Sequence, residues 1–176
     1  MWLKEHHDQE KEIWLVYYRR ETGKPRIAYD EAVEEALCYG WIDSTVKKID
    51  GERFAQRFSP RKKTSTLSQA NKERISHLIA QHKMTEAGLA AVSHVYDAAL
   101  QGDEAFPISA DILAALQADR RTWENFQNFP GSYRRIRIAY VESRRRHGQE
   151  AFTRSLRNLV EKTAQNKRFG FIKGPA

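Results

Sequence analysis

With one cysteine, Cys38, among its 176 residues, the chain cannot close an internal disulfide; a cross-linked framework is excluded and a reducing compartment fits. Proline and glycine are scarce, at 5 and 9 residues, too few for low-complexity or linker-like sequence. Uncharged apolar runs such as Ile13 to Tyr18 stop far short of the roughly 20 residues that cross a bilayer, so no membrane span is expected. Met1, Trp2 and Leu3 run at once into charged residues and His6 and His7, without the apolar centre or cleavage site of a secretory signal. The cytoplasm is therefore the expected location. The six histidines, His6, His7, His77, His82, His94 and His147, form neither H-E-x-x-H nor a Cys/His zinc spacing. Glu21 to Lys24 lacks the first glycine of a phosphate-binding loop, so no metal and no cofactor are expected.

What is present is 40% hydrophobic and 30% charged, the composition of a chain that folds alone and can bury roughly 70% of its unfolded surface. The net charge of +7 is uneven. From Gly131 onward 12 basic residues face 3 acidic ones, giving +9, whereas residues 1 to 130 carry 18 against 20, giving −2. A cationic C-terminal third suits phosphate, an acidic protein or an anionic surface.

Along the chain, Glu12 to Arg19 is apolar on both alternating faces and predicts a central strand covered on two sides. Asp30 and Glu31 precede Val33, Ala36, Leu37 and Gly40, a helical stripe with acids in its first turn and glycine at its end. Cys38, on that apolar helix, reads as a small buried residue rather than a nucleophile. Ile42 to Ile49 and Glu52 to Ser59 predict a hairpin closed by Asp50-Gly51, a dipeptide that tolerates the positive φ of a tight turn. Helical spacing follows over Ser68 to Ala80 and again after Thr85, with Leu89, Val92 and Tyr96. Ser109 caps a helix carrying Ile112, Leu113 and Leu116; Ser132 to Arg146 predicts another up to Gly148. Phe152, Leu156, Leu159 and Val160 mark the last, and the tail from Lys167 is expected to be loosely held. The expected fold class is α+β: a small antiparallel sheet with a hairpin packed by helices over 1–100, a linker over 101–107, and a basic all-helical subdomain over 108–176.

The densest chemistry lies between Tyr39 and Lys63. Asp43 opens the hairpin while Arg57, Ser59 and Arg61 lie where its second strand returns, so one carboxylate could orient a guanidinium fork toward a bound anion, walled by Tyr39, Trp41 and Phe58. The plainer reading makes Asp43 a structural partner of Arg57 or Arg61 and the aromatics core residues. An enzyme site would need Asp43 to converge with a second titrating group such as Lys47, Tyr39 or Glu35. From Arg53 to Lys72 six basic residues and no acid are interleaved with Phe54 and Phe58, the pattern of a strip that could follow a nucleic-acid backbone. On the helix after Ser132, Arg134, Arg137, Arg144 and Arg145 fall along one side with Ile138 and Val141 among them, so the stripe is either a binding face or a cover over apolar surface.

The run Ala36-Leu37-Cys38-Tyr39-Gly40-Trp41-Ile42-Asp43, followed by Arg57-Phe58-Ser59-Pro60-Arg61-Lys62, resembles the YdeI/OmpD-associated, or bacteriocin-protection, family. Ser65 to Asn71, Met84 to Leu89 and Thr163 to Lys167 with Gly170 extend the resemblance over nearly the whole chain. It departs from the family pattern where Leu67 replaces a tryptophan and His82 a glycine. The resemblance implies a role in surviving antimicrobial peptides or envelope stress and brings no catalytic residues. Together these features predict a non-catalytic protein that binds an anionic ligand or acidic partner, with nucleic-acid binding or an enzyme site at Asp43 as the alternatives.

Overall fold

The computed structural model describes residues 2–97 and 106–170, and the chain divides into two compact units. The first comprises Met1–Leu67 with Arg74–Asp97, the second Ser68–Glu73 with Ala98–Ala176. The α+β class is as expected. Residues 101–105 of the expected linker lie outside the described residues.

The first unit is built on one sheet of three antiparallel strands in the order β1-β3-β2: β1 Ile13–Tyr18, β2 Trp41–Lys48 and β3 Arg53–Pro60. Strand β3 is central and β1 is an edge, contrary to the expectation for Ile13 to Tyr18. Its inward alternation, Ile13, Leu15 and Tyr17, meets the core, while Trp14 and Val16 on the other face are 40% and 49% exposed. Helix α1 (Trp2–His6), not foreseen from sequence, sets Leu3 into this core and Trp2 edge-on to Trp41 at 6.3 Å. Helix α2 (Tyr29–Cys38) supplies Val33, Ala36 and Leu37, with Glu31 accepting from the Ala28 N–H at its start.

The hairpin turn differs from the tight form. Ile49 and Asp50 N–H groups both donate to Arg53 O, and the Asp50 carboxylate accepts from the N–H groups of Glu52 (2.9 Å) and Arg53 (2.7 Å). Gly51 is not among the positive-φ residues, and a Cβ there would meet nothing within 4 Å. The aspartate side chain, not glycine's freedom, shapes this turn.

Helix α3 (Gln69–Ala80) begins at Ser68, whose hydroxyl accepts from Asn71 N–H, and ends at His82, a non-glycine residue at φ +55°. Such a left-handed residue closes the helix in the way glycine usually does. Helix α4 (Glu86–Val92) is anchored through the Met84 to Leu89 motif. Thr85 donates both its N–H (3.1 Å) and its hydroxyl (2.5 Å) to Cys38 O and accepts from Gly88 N–H. A Cβ on Gly88 would lie 2.2 Å from that carbonyl, so only glycine allows α4 to seat on the end of α2. The Thr85 to Gly88 segment is a packing device.

The second unit packs α5 (Ala110–Gln117), α6 (Arg120–Asn128), α7 (Gly131–Ser143) and α8 (Gln149–Ala164) around Ile112, Leu116, Phe126, Tyr133, Ile138, Phe152 and Leu159. Asp119 caps α6 by accepting from Thr122 N–H at 2.7 Å. The α-helical part of the predicted 132–146 segment stops at Ser143, and Arg144–His147 tightens to a 3₁₀ turn before Gly148. Glu73 receives a bidentate grip from Arg135, at 2.6 and 2.7 Å, with both side chains mostly buried.

Candidate anion-binding site

The six hairpin residues singled out from sequence do not converge. Asp43 lies opposite Phe58 in the ladder and therefore on the helix-covered face, whereas Arg57 and Ser59 occupy the other. Asp43 accepts a 2.6 Å hydrogen bond from the Tyr29 hydroxyl at the start of α2. This corrects the expectation that it would partner Arg57 or Arg61. Burial, then the hydrogen bond to Asp43, push the Tyr29 hydroxyl well above the ordinary tyrosine range. Nearby, Tyr17 is buried with its hydroxyl unpartnered, and desolvation pushes it up to about 12. Arg57 instead pairs with Glu12 at 2.6 and 2.7 Å on the open face, which holds that carboxyl below its usual range.

Trp41 is core, 1% exposed, its indole N–H donating to His7 O at 3.1 Å. Tyr39, just past the end of α2, sits 5.2 Å from the His7 ring. Arg61 turns inward: its N–H donates to Gly40 O, its guanidinium to Thr66 O, and its Nε and Nη1 are buried without a partner. The basic-aromatic strip is likewise not a stacking platform. Phe58 is core, Phe54 stacks on Tyr17 at 5.3 Å, and Arg53 is engaged by Asp50. Cys38 is buried, and desolvation pushes its thiol up to about 11, away from nucleophilic use.

The more demanding electrostatic arrangement is on α7. Tyr133, Arg137, Tyr140 and Arg144 recur at spacings of four, three and four and so share one stripe. The Arg137 guanidinium carbon lies 5.7 Å from the Tyr133 ring centre, 5.6 Å from Tyr140 and 5.2 Å from Phe169, and the residue is 8% exposed. Phe169 is brought there from beyond α8 by its N–H, which donates to the Tyr133 hydroxyl at 3.1 Å. Gly170, at φ +93°, approaches the guanidinium closely; a Cβ there would fall 2.4 Å from Nη1. Residues 167–170 of the expected loose tail are therefore held, and residues 171–176 lie outside the described residues.

Arg137 has no carboxylate partner among the described residues, its Nε is buried without a hydrogen bond, and desolvation lowers its pKa, opposed only by a smaller pull from the Tyr133 and Tyr140 phenols. A desolvated guanidinium costs several kcal/mol, which three ring contacts of about 0.5–2 kcal/mol each offset in part. The planar group is fixed in place with unused donors, the geometry that takes a carboxylate or phosphate.

The other arginines of the predicted stripe divide. Arg145 lies 3.8 Å from the Phe152 ring centre and is bound to Asp111 (2.8 and 2.9 Å) and Glu142 (2.5 Å), so it is neutralised. The Arg144 guanidinium carbon lies 5.9 Å from the Tyr140 ring centre, and Arg134 is half-buried. Of the stripe that the sequence left as either a binding face or a cover over apolar surface, Arg137 stands in its aromatic surround with Arg144 beside it. Periodicity found both arginines; Tyr133, Tyr140, Phe169 and Gly170 carried no such signal.

The fold and this site define an α+β protein with a hairpin sheet in one unit and an arginine-bearing helical layer in the other, and among the described residues no helix is long and apolar enough to cross a membrane. The chain belongs to the family described as a domain of unknown function, DUF8412, matched over residues 1–91, and residues 105–166 match the family of bacteriocin-protection, YdeI or OmpD-associated proteins. Over residues 105–166 this match agrees with the resemblance seen in the sequence. The family match to the bacteriocin-protection proteins falls on the helical unit that contains Arg137, while the Tyr39 to Asp43 and Arg57 to Lys62 motifs fall within the other match. No curated protein and no solved structure matches the chain.

Proposed function

We propose that this is a non-catalytic stress-protection protein of the bacteriocin-protection type, acting in the cytoplasm by binding an anionic ligand or acidic partner through its helical unit. The observation that carries the reading is Arg137: a buried, ring-stacked guanidinium with no carboxylate partner among the described residues, flanked by Arg144, inside the segment that matches the bacteriocin-protection family. A carboxylate or phosphate group would satisfy the unused donors and the uncompensated charge together. Direct chemistry has less support, because Asp43 is occupied by Tyr29 and Cys38 is buried.

The experiment titrates an acidic peptide and inorganic phosphate into the wild type, Arg137→Lys and Arg144→Gln, and in parallel measures survival of a deletion strain complemented with each and exposed to bacteriocin. Arg137→Lys keeps the charge but loses the planar fork, so it should weaken binding at least tenfold and reduce protection, with Arg144→Gln intermediate. Equal binding and protection by Arg137→Lys and wild type would overturn the proposal.

A further inference from the structure

We infer that Arg61 is a second anion site, in the sheet-bearing unit, which takes a phosphate group, free or as a monoester, on a planar fork of two unbonded guanidinium donors. The inference is independent of the Arg137 site.

The backbone fixes where the fork stands. Arg61 follows the last residue of β3, and its N–H donates to Gly40 O at 2.9 Å, one step beyond the Trp41–Pro60 pair that ends the ladder. Gly40 is itself held. At φ +74° its backbone meets α4, where an added Cβ would fall 2.6 Å from Ala91 Cβ and 3.1 Å from Ala87 O. A sheet end and a helix thus anchor Arg61, as a pre-positioned binding group requires.

The guanidinium has three nitrogens and one acceptor. Nη2 donates to Thr66 O, whereas Nε and Nη1 are buried without a partner. Nη2 carries two hydrogens, one parallel to the Nε–H along the side edge of the group and one parallel to an Nη1–H along its end edge. Thr66 O occupies one of them, so the other edge keeps both of its donors. Two parallel N–H groups therefore remain on either assignment, the arrangement that grips two oxygens of one phosphate. Among the described residues no carboxylate and no aromatic ring is paired with Arg61, and burial alone lowers its pKa. A bound anion would relieve the uncompensated charge and the orphaned donors together.

The adjoining loop selects phosphate over a simple carboxylate. Residues 62–66 lead from Arg61 to its acceptor through a turn in which Ser65 N–H donates to Lys62 O at 2.9 Å. Lys62 and Lys63 are exposed and have no ion pair among the described residues, and the hydroxyls of Thr64, Ser65 and Thr66 make no hydrogen bond among them either. Arg61 to Thr66 thus gathers three cations and three hydroxyls, and no acid occurs from Arg53 to Lys72. Such a set suits the near-double charge and several acceptor oxygens of a phosphate better than the single charge of a carboxylate. The chain that meets the guanidinium is a surface loop rather than the core, so an anion reaches the fork by displacing loop residues from it.

The test is arginine side-chain nuclear magnetic resonance of the isotope-labelled wild type, titrated at constant ionic strength with inorganic phosphate, phenyl phosphate and acetate. Thermal unfolding with and without phosphate accompanies it, on Arg137→Lys and on Arg61→Lys/Arg137→Lys. The Arg61 guanidinium signals should shift saturably with a phosphate and not with acetate. A response to inorganic phosphate alone assigns the free ion, and a tighter response to phenyl phosphate assigns the monoester; either supports the site. The phosphate-dependent rise in Tm should persist in Arg137→Lys, and adding Arg61→Lys should demand about tenfold more phosphate for the same rise, the loss of one charge-assisted hydrogen bond. Arg61 signals that stay in place or drift linearly, an equal response to acetate, or a Tm rise indifferent to Arg61→Lys would each overturn the inference. Should the variants fail to fold, the resonance titration of the wild type decides alone.

Discussion

Replacing Gly88 with alanine tests the seating of α4 on α2. The new Cβ would fall 2.2 Å from Cys38 O, 2.7 Å from Cys38 C and 2.9 Å from Leu37 O, all backbone atoms that cannot swing aside. Ordinary contact begins near 3.4 Å, so the helix must withdraw by about 1 Å. That movement breaks the two bonds from Thr85 to Cys38 O, each about 1 kcal/mol, and adds a packing penalty of about 1–2 kcal/mol. Alanine returns about 1 kcal/mol of helix propensity, leaving a net loss of about 2–3 kcal/mol. Thermal unfolding followed by circular dichroism should show a Tm lower by about 5–10 °C. An unchanged or raised Tm would mean that propensity wins and that α4 is not held against the Cys38 carbonyl.

Three further outcomes are expected. Gly51→Val should leave Tm within about 1 °C, the cost of an ordinary surface change, whereas Asp50→Ala should lower it by removing the acceptor for two backbone N–H groups; equal effects would contradict the turn described. Asp43→Ala leaves the half-buried Tyr29 hydroxyl without its acceptor and should cost about 1–2 kcal/mol in urea unfolding, while Tyr29→Phe/Asp43→Ala together should cost less than the sum of the single changes. In pH titration of stability, Glu12, Asp50, Asp111, Asp119 and Glu142 all have depressed native pKa values, caused first by side-chain hydrogen bonds to Arg57, Arg53, Arg145, Thr122 and Arg145 respectively. A depressed native pKa contributes stability that is complete above the unfolded values of 3.8 and 4.5 and is lost as pH falls below them. Unfolding free energy should therefore drop from about pH 4 downward, and a curve flat to pH 2 would reject these pairings.

Much of the fold is legible because helices announce themselves through apolar spacing and caps: Thr85, Ser68 and the stripe ending at Gly40 all stand where expected. The edge position of β1 is not, since Trp14 and Val16 look like core residues when only alternation is read. Asp43 misled for a related reason. Its side of the sheet depends on the register opposite Phe58, and its partner Tyr29 lies 14 residues upstream on a helix. Arg137 was visible as one member of an arginine stripe, but its burial depends on Phe169 and Gly170 returning from beyond α8. Composition counts charges without telling which are neutralised, and among the described residues Arg145 and Arg135 prove to be paired where Arg137 is not.

The central claim is that Arg137 holds an anion, and arginine side-chain nuclear magnetic resonance reads it directly. Inorganic phosphate is titrated at constant ionic strength into the isotope-labelled protein, with Arg144→Gln as the companion sample. The Arg137 guanidinium signals should shift saturably in both proteins, with a weaker midpoint in Arg144→Gln, whereas those of the paired Arg145 should stay in place. Arg137 signals that do not move, or that drift linearly with the general arginine background, would contradict the account.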